Sequence, residues 1–179
     1  MSAPAISIES FNALPEGEAA ALMDACCGAS GWVQRMVASR PFADRAALLH
    51  AADRIWSALT AADWREAFDG HPRIGHARAG APVSAIALAW STEEQSDATR
   101  SDKGDRTALF DAQRAYEARF GHIFLVCAAG RTSPELLGDL QARLLNEPDT
   151  ELRVAAEEQR KITRLRLERL IVDIRDRAS

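Results

Sequence analysis

The chain has 179 residues, of which 47% are hydrophobic and 27% are charged, and its formal net charge is −4. This length suits one domain with a sizeable core, so we expect a single domain over residues 1–179. The acidic balance, with no basic pole before the C-terminal third, argues against nucleic acid as a partner. No apolar stretch reaches membrane-spanning length and no signal peptide is recognisable, so we expect no membrane partner.

The cysteine content indicates neither a disulfide framework nor a thiolate metal site. Cys26 and Cys27 are adjacent, Cys127 is distant, the total of three is odd, and no CxxC spacing occurs. We therefore expect no metal ion and a reducing, cytoplasmic location.

Helix is favoured through most of the chain, because alanine, leucine, arginine and glutamate dominate and β-branched residues are sparse. Periodicity and terminal signals predict helices from about Pro15 to Gly28, over 30–40, 42–59, 60–70, 91–100, 106–120 and 133–146, and from about Asp149 onward. Glycine, proline and histidine replace this pattern over 70–84, which predicts a loop. The apolar run 122–130 fits either a short buried strand or an extended turn. The predicted class is all-α, a single-domain helical bundle.

His71 is the first candidate for chemistry, because it lies in the predicted loop between Gly70 and Pro72. The proline restricts the backbone of His71 to extended conformations, so the imidazole sits on a stiff segment. An imidazole titrates near neutrality and serves as a general acid or base without a cofactor. The alternative is a solvated loop histidine. His76 follows five residues later, which is a poor spacing for a helical metal pair.

The stretch STEEQ at 91–95 has two interpretations. As a capping box, Ser91 followed three residues later by Glu94 predicts that a helix starts here. As a binding face, Ser91, Glu94 and Gln95 are spaced to line one side of a helix. The capping box does not explain Gln95, and the two interpretations are compatible, because a helix N-terminus also favours an anionic ligand.

Arg166 falls within the apolar arc of the last predicted helix, between Ile162 and Leu170. A guanidinium there has to snorkel, pair with a carboxylate, or face a cavity that favours a cation. Together with His71 and the STEEQ face, this arginine indicates a pocket for a small anionic substrate.

Five short motifs occur in an order typical of one family. They are RPF at 40–42, HPRIG at 71–75, STEEQ at 91–95, FGHIFLVCAAG at 120–130 and KITRLRL at 161–167. With these motifs in register, the chain resembles the 2-oxo-4-hydroxy-4-carboxy-5-ureidoimidazoline (OHCU) decarboxylases of urate degradation. The resemblance implies an all-helical, usually homodimeric carboxy-lyase that needs no cofactor and converts OHCU to (S)-allantoin and CO2.

The resemblance also assigns roles to individual residues. It implies that His71 and Glu94 are catalytic and that the remaining motif positions bind the substrate, namely Pro72, Ser91, Thr92, Glu93, Gln95, Phe124, Leu125, Val126, Cys127, Ala128 and Arg166. Two other interpretations stay open. One is a helical interaction module whose basic C-terminal helix, with Arg166, docks an acidic partner. The other is a lyase acting on a related ureido or hydroxy acid.

Overall fold

The computed structural model of the chain describes residues 5–75, 84–96 and 103–172. Within these ranges every regular element is a helix, which confirms the predicted all-α class. The helices are α1 (Ile8–Ala13), α2 (Glu16–Cys26), α3 (Ser30–Ala38), α4 (Arg45–Ser57), α5 (Ala61–Asp69), α6 (Ala85–Glu94), α7 (Lys103–Phe120), α8 (Ser133–Arg143) and α9 (Pro148–Leu170). Over the same part of the chain, no helix is long and apolar enough to cross a bilayer.

The described residues divide into two compact units. The first unit contains the residues up to Ala67 and those from Arg160 onward, and the second contains Phe68–Gln159. Helix α9 contributes its earlier residues to the second unit and its later residues to the first. The single domain predicted for residues 1–179 stays a prediction.

The first unit is built from α1 to α4, from α5 up to Ala67 and from the later residues of α9. The apolar stripe predicted for α4 is buried, with Leu48 fully inaccessible, whereas His50 on the same helix is exposed rather than at the core edge. Asp44 caps α4, because its side chain accepts a hydrogen bond from Ala47 N at 2.7 Å. Helix α1 was not predicted, and Arg40 holds its end by donating to Leu14 O at 2.8 Å.

The second unit contains α6, α7, α8 and the earlier residues of α9. Its core is formed by buried side chains from the helices, from the segment 122–130 and from the loop after α5, namely Ile74, Leu109, Tyr116, Phe124, Val126, Ala128, Leu136 and Leu140. The segment 122–130 makes no strand, so the extended alternative is correct. Its backbone is held by side chains instead: Arg143 donates to Leu125 O at 2.9 Å, and Glu158 accepts from Cys127 N at 2.8 Å.

Candidate active site

The stretch STEEQ ends a helix rather than starting one, which corrects the capping-box interpretation. Helix α6 begins at Ala85, and its N-cap is Ser84, whose side chain accepts a hydrogen bond from Ala87 N at 3.1 Å. The apolar run 85–90, which precedes the predicted helix 91–100, is itself helical. Ser91 and Glu94 therefore lie in the last turn of α6, and Gln95 is its C-cap. Ser91 and Glu94 lie at the C-terminal end of α6, so they form no anion site at its N-terminus.

Burial separates the members of this stretch into two groups. Ser91 and Glu94 are only 4% and 7% exposed, whereas Thr92 and Glu93 are exposed. The Thr92 hydroxyl donates to Leu88 O one turn earlier, at 2.9 Å. Ser91 and Glu94 thus lie on the inward face of α6. Thr92 and Glu93, for which substrate binding is also predicted, lie on its outward face.

The HPRIG motif forms a short loop directly after α5. His71 N donates to Phe68 O at 3.0 Å, and His71 and Pro72 are half-buried. Ile74 is buried. Gly75 has φ = 80°, a left-handed conformation that glycine adopts without the strain of a Cβ atom. His76 and the rest of the predicted loop up to residue 83 lie outside the described residues.

One hydrogen bond joins the loop to the end of α6. Gln95 Oε1 accepts from Gly75 N at 3.1 Å. Because Gly75 is four residues after His71, and Gln95 directly follows Glu94, the structure brings the HPRIG and STEEQ motifs together. The capping box offered no role for Gln95, and this bond supplies one.

Helix α7 holds the same loop through two side chains, Gln113 and Glu117, that lie outside the five sequence motifs. The buried carboxamide of Gln113 accepts from Ile74 N and donates to Ile74 O, both at 3.1 Å. One turn further along, Glu117 accepts two hydrogen bonds from the Arg73 guanidinium, each 2.6 Å long. Their i, i+4 spacing places both side chains on one face of α7. No sequence signal distinguishes them from an ordinary polar pair on a helix.

The segment 124–128 is mostly buried, with Phe124, Leu125, Val126 and Ala128 inaccessible and Cys127 half-buried. The Cys127 N–H is already bonded to the Glu158 carboxylate. A backbone donor for a substrate therefore has to come from another amide of this segment, or Glu158 has to move.

A buried charged cluster supports this segment. Arg143 pairs with Glu151 at 2.6 Å, and its guanidinium lies 4.7 Å from the centre of the Phe124 ring. Glu151 also accepts a hydrogen bond from the Tyr116 hydroxyl, and burial raises the pKa of Tyr116. Buried charges are tolerated when they are paired and hydrogen-bonded in this way. This cluster was not predicted.

His122 belongs to the same core. Its ring lies 5.4 Å from the Phe68 ring and 5.6 Å from the Tyr116 ring, and Nδ1 is 3.0 Å from Ile123 O. These contacts are those of a packed core histidine. No group of three metal-binding side chains occurs in residues 5–75, 84–96 and 103–172.

Arg166 lies in the first unit and is buried, as its place in the apolar arc of the last helix predicted. Its side chain does not snorkel, because the residue is only 3% exposed. Nη1 donates to Ala25 O at 3.3 Å. The neighbouring Cys27 thiol is fully buried, and burial raises its pKa to about 11, with the positive charge of Arg166 acting in the opposite direction.

Comparison with known proteins gives consistent matches. A family model described as OHCU decarboxylase matches residues 12–168. The chain is 35% identical over 148 residues to the uric acid degradation bifunctional protein TTL of Arabidopsis thaliana, which covers 83% of this chain and 46% of that protein. It is 35% identical over 135 residues to the 2-oxo-4-hydroxy-4-carboxy-5-ureidoimidazoline decarboxylase of Amia calva, covering 74% of this chain and 75% of that protein.

A solved structure agrees with these sequence matches. The crystal structure of OHCU decarboxylase in the presence of (S)-allantoin superposes with a TM-score of 0.71 at 34% identity, covering 82% of this chain and 94% of that chain. This chain therefore matches 94% of that OHCU decarboxylase chain, but only 46% of the Arabidopsis protein. At the level of the family, the predicted carboxy-lyase class and the predicted place in urate degradation are confirmed. The chain belongs to the OHCU decarboxylase family.

Proposed function

We propose that this chain decarboxylates OHCU to (S)-allantoin and CO2 without a cofactor, using His71 and Glu94 as catalytic residues. The observation that carries the proposal is the hydrogen bond from Gly75 N to Gln95 Oε1. It holds the loop of a half-buried imidazole against the helix end that bears a buried carboxylate and a buried hydroxyl. A general acid or base, a hydrogen-bonding face and restricted solvent are what such a reaction requires.

The chemistry of the substrate explains why no cofactor is needed. In OHCU the carboxylate is attached to the carbon that also bears the hydroxyl group. When that carbon loses CO2, the adjacent imidazolone system accepts the electron pair. The substrate is its own electron sink, so pyridoxal phosphate, thiamine diphosphate and metal ions are dispensable. His71 exchanges a proton with the hydroxyl or carboxylate region and so assists cleavage of the C–C bond.

The other motif residues hold the substrate in this proposal. Glu94 and Ser91 bind the ureido and ring N–H groups and orient the carboxylate for loss. Because Gln95 Oε1 already accepts the Gly75 N–H, the Nε2 group of Gln95 is its donor toward a substrate oxygen. Pro72 and backbone amides of 124–128 line the ring and stabilise developing enolate charge. Arg166 binds a ring oxygen in this proposal, and the support for that role is the family resemblance.

Three further properties belong to the proposal. The chain acts as one domain, because the family match at 12–168 includes residues of both compact units. It assembles as a homodimer, which light scattering checks. It works in the cytoplasm, a location that three free cysteines fit, since thiols persist in a reducing compartment.

The alternative of a module that docks an acidic partner is less favoured. Arg164 in the basic C-terminal helix pairs within the chain, with Asp53 at 3.1 Å and with Glu168 at 3.1 Å. Arg166 is buried. Two of the cationic groups on this helix, Arg164 and Arg166, are thus respectively paired within the chain and buried.

The test generates OHCU in solution from urate with urate oxidase and hydroxyisourate hydrolase, and follows optical activity after this chain is added. Optical rotation of the sign of (S)-allantoin that develops faster than the spontaneous racemic decay, together with CO2 release, is the expected result. If OHCU decays at its spontaneous rate and the product is racemic, the proposed function is wrong. Replacing OHCU by related ureido acids in the same assay tests the alternative substrate class.

A further inference from the structure

We propose that Gln113 is a positioning residue for His71, acting through the backbone of Ile74. The proposal rests on the proposed function in one respect, because it takes His71 as the reacting group. Gln113 itself is outside the five sequence motifs and does not belong to the predicted site. Its role is to fix the conformation of the HPRIG loop from α7.

The contact has the geometry of a two-point clamp. Gln113 Oε1 accepts from Ile74 N, and Gln113 Nε2 donates to Ile74 O, both at 3.1 Å. Gln113 is 2% exposed and Ile74 is 6% exposed, so neither bond is replaced by water without rearrangement. A carboxamide carries both a donor and an acceptor on one planar group, so it satisfies both backbone groups of one residue.

The loop between Ile74 and His71 is short and stiff. Pro72 has a fixed φ angle and also restricts His71 to extended conformations. A displacement of Ile74 is therefore passed on to His71 rather than absorbed between them. On the other side of Ile74, the bond from Gly75 to Gln95 fixes the loop against α6.

The second tie from α7 is weaker. The ion pair of Arg73 with Glu117 has good geometry, but the Arg73 side chain is 51% exposed. Exposed ion pairs contribute little to the free energy of folding, whereas a buried unsatisfied backbone group is costly. Gln113 is therefore the side chain of α7 whose loss displaces the loop.

The first variant is Gln113→Leu, which keeps a side chain of similar size and removes both hydrogen bonds. We expect kcat per folded molecule to fall about 10- to 100-fold, because small misplacements of a reacting group reduce rates by this order. KM is expected to change by less than roughly threefold, because the contacts that bind the substrate equally in its ground state and its transition state are kept. Gln141→Leu, the same change at an exposed position of α8, is the matched control and is expected to keep the rate of the unsubstituted chain.

The second variant, Gln113→Glu, is expected to change the pH dependence of activity. A residue that only stabilised the fold would leave that pH dependence unchanged. A protonated glutamic acid donates to Ile74 O and accepts from Ile74 N, whereas the ionised form only accepts and opposes the carbonyl. The activity of this variant relative to the unsubstituted chain is therefore expected to rise as the pH falls. The ratio of the activity of Gln113→Glu to that of the unsubstituted chain is measured between pH 5 and 8 on folded protein. The same ratio for Gln141→Glu is the control.

A measurement without substrate separates this proposal from the proposed function. NMR spectra of the ligand-free chain are expected to show that Gln113→Leu shifts the His71 imidazole resonances and speeds hydrogen exchange at the Ile74 amide. If the unsubstituted chain does not decarboxylate OHCU, the proposed function fails, and these spectra still decide the role of Gln113. Unchanged His71 resonances overturn the proposal. So does a Gln113→Leu variant with unaltered kcat, or a pH-independent ratio for Gln113→Glu.

Discussion

Gln95 accepts a hydrogen bond from the backbone N–H of Gly75 at 3.1 Å, and this contact explains two features of the sequence at once. It accounts for an amide directly after the last turn of α6, and for a glycine at the end of the HPRIG motif. Gly75 presents its N–H from a left-handed conformation. The two motifs are thereby parts of one local structure rather than independent signals.

Glu94→Gln tests whether the carboxylate serves chemistry or local structure. Glutamine has nearly the same volume and a helix propensity similar to that of glutamate, so we expect the thermal midpoint to stay close to that of the unsubstituted chain. Activity toward OHCU is expected to fall about 100-fold or more, because neutral glutamine lacks the charge-assisted hydrogen bonds by which the Glu94 carboxylate is proposed to bind and orient the substrate.

The control for this change is Glu18→Gln, an exposed glutamate in the first turn of α2. It is expected to leave turnover unaltered. A Glu94→Gln variant that keeps both its stability and its turnover would remove Glu94 from the mechanism.

Gly75→Ala tests the conformation on which the Gly75–Gln95 contact depends. Nothing lies within 4 Å of a Cβ atom added at Gly75, so the expected penalty comes from its φ of 80° and not from a clash. We expect a loss of roughly 1–2 kcal/mol in the free energy of unfolding, the usual strain of an L-residue in this region. Urea denaturation measures it.

Gly17→Ala is the matched control for this measurement. Gly17 lies in α2, and there too nothing lies within 4 Å of an added Cβ atom. Gly17 is the second residue of α2, where alanine is favoured over glycine by no more than the roughly 1 kcal/mol of a helix interior, so this variant is expected to be slightly stabilised. Equal effects of the two substitutions would show that the backbone of Gly75 is unstrained.

We expect the free energy of unfolding to decrease at alkaline pH, because the Cys27 thiol is buried. Burial raises the pKa of its thiol from 9.0 to about 11. In the unfolded chain the thiol ionises first, so between these two values the folded state binds more protons and the free energy of unfolding falls as pH rises. The contribution of the thiol to the free energy of unfolding is complete below about pH 9 and is lost as the pH rises through 11, by roughly 3 kcal/mol.

Urea denaturation between pH 7 and 11 checks this dependence. Cys27→Ala is expected to show a smaller decrease in the free energy of unfolding over that interval. Cys127→Ala serves as the comparison, because Cys127 is half-buried rather than fully buried. If the pH dependence is the same with and without Cys27, the thiol does not contribute to it.

Residues whose role depends on local pattern could be predicted from the sequence. The apolar stripe of α4 is buried because helical spacing alone places its residues on one face. Arg166 is buried for the same reason. The order of the five motifs identified the family before any geometry was known.

Residues whose role depends on tertiary contacts could not be predicted in this way. Ser84 and Ser91 are both possible caps by local rules, and the helicity of residues 85–90 decides in favour of Ser84. Gln113 looks like any polar residue on an amphipathic helix until its contact with Ile74, 39 positions away, is known. The buried pair of Arg143 and Glu151 likewise breaks the rule that charges lie outside, because each satisfies the other.

The most direct test of the central claim measures the rate of (S)-allantoin formation from OHCU by the unsubstituted chain, by His71→Asn and by His50→Asn. His50 is an exposed histidine of α4 and serves as the matched control. The account predicts that His71→Asn falls to the spontaneous rate with its helical circular dichroism intact, while His50→Asn keeps full activity. Turnover by His71→Asn equal to that of the unsubstituted chain would contradict it.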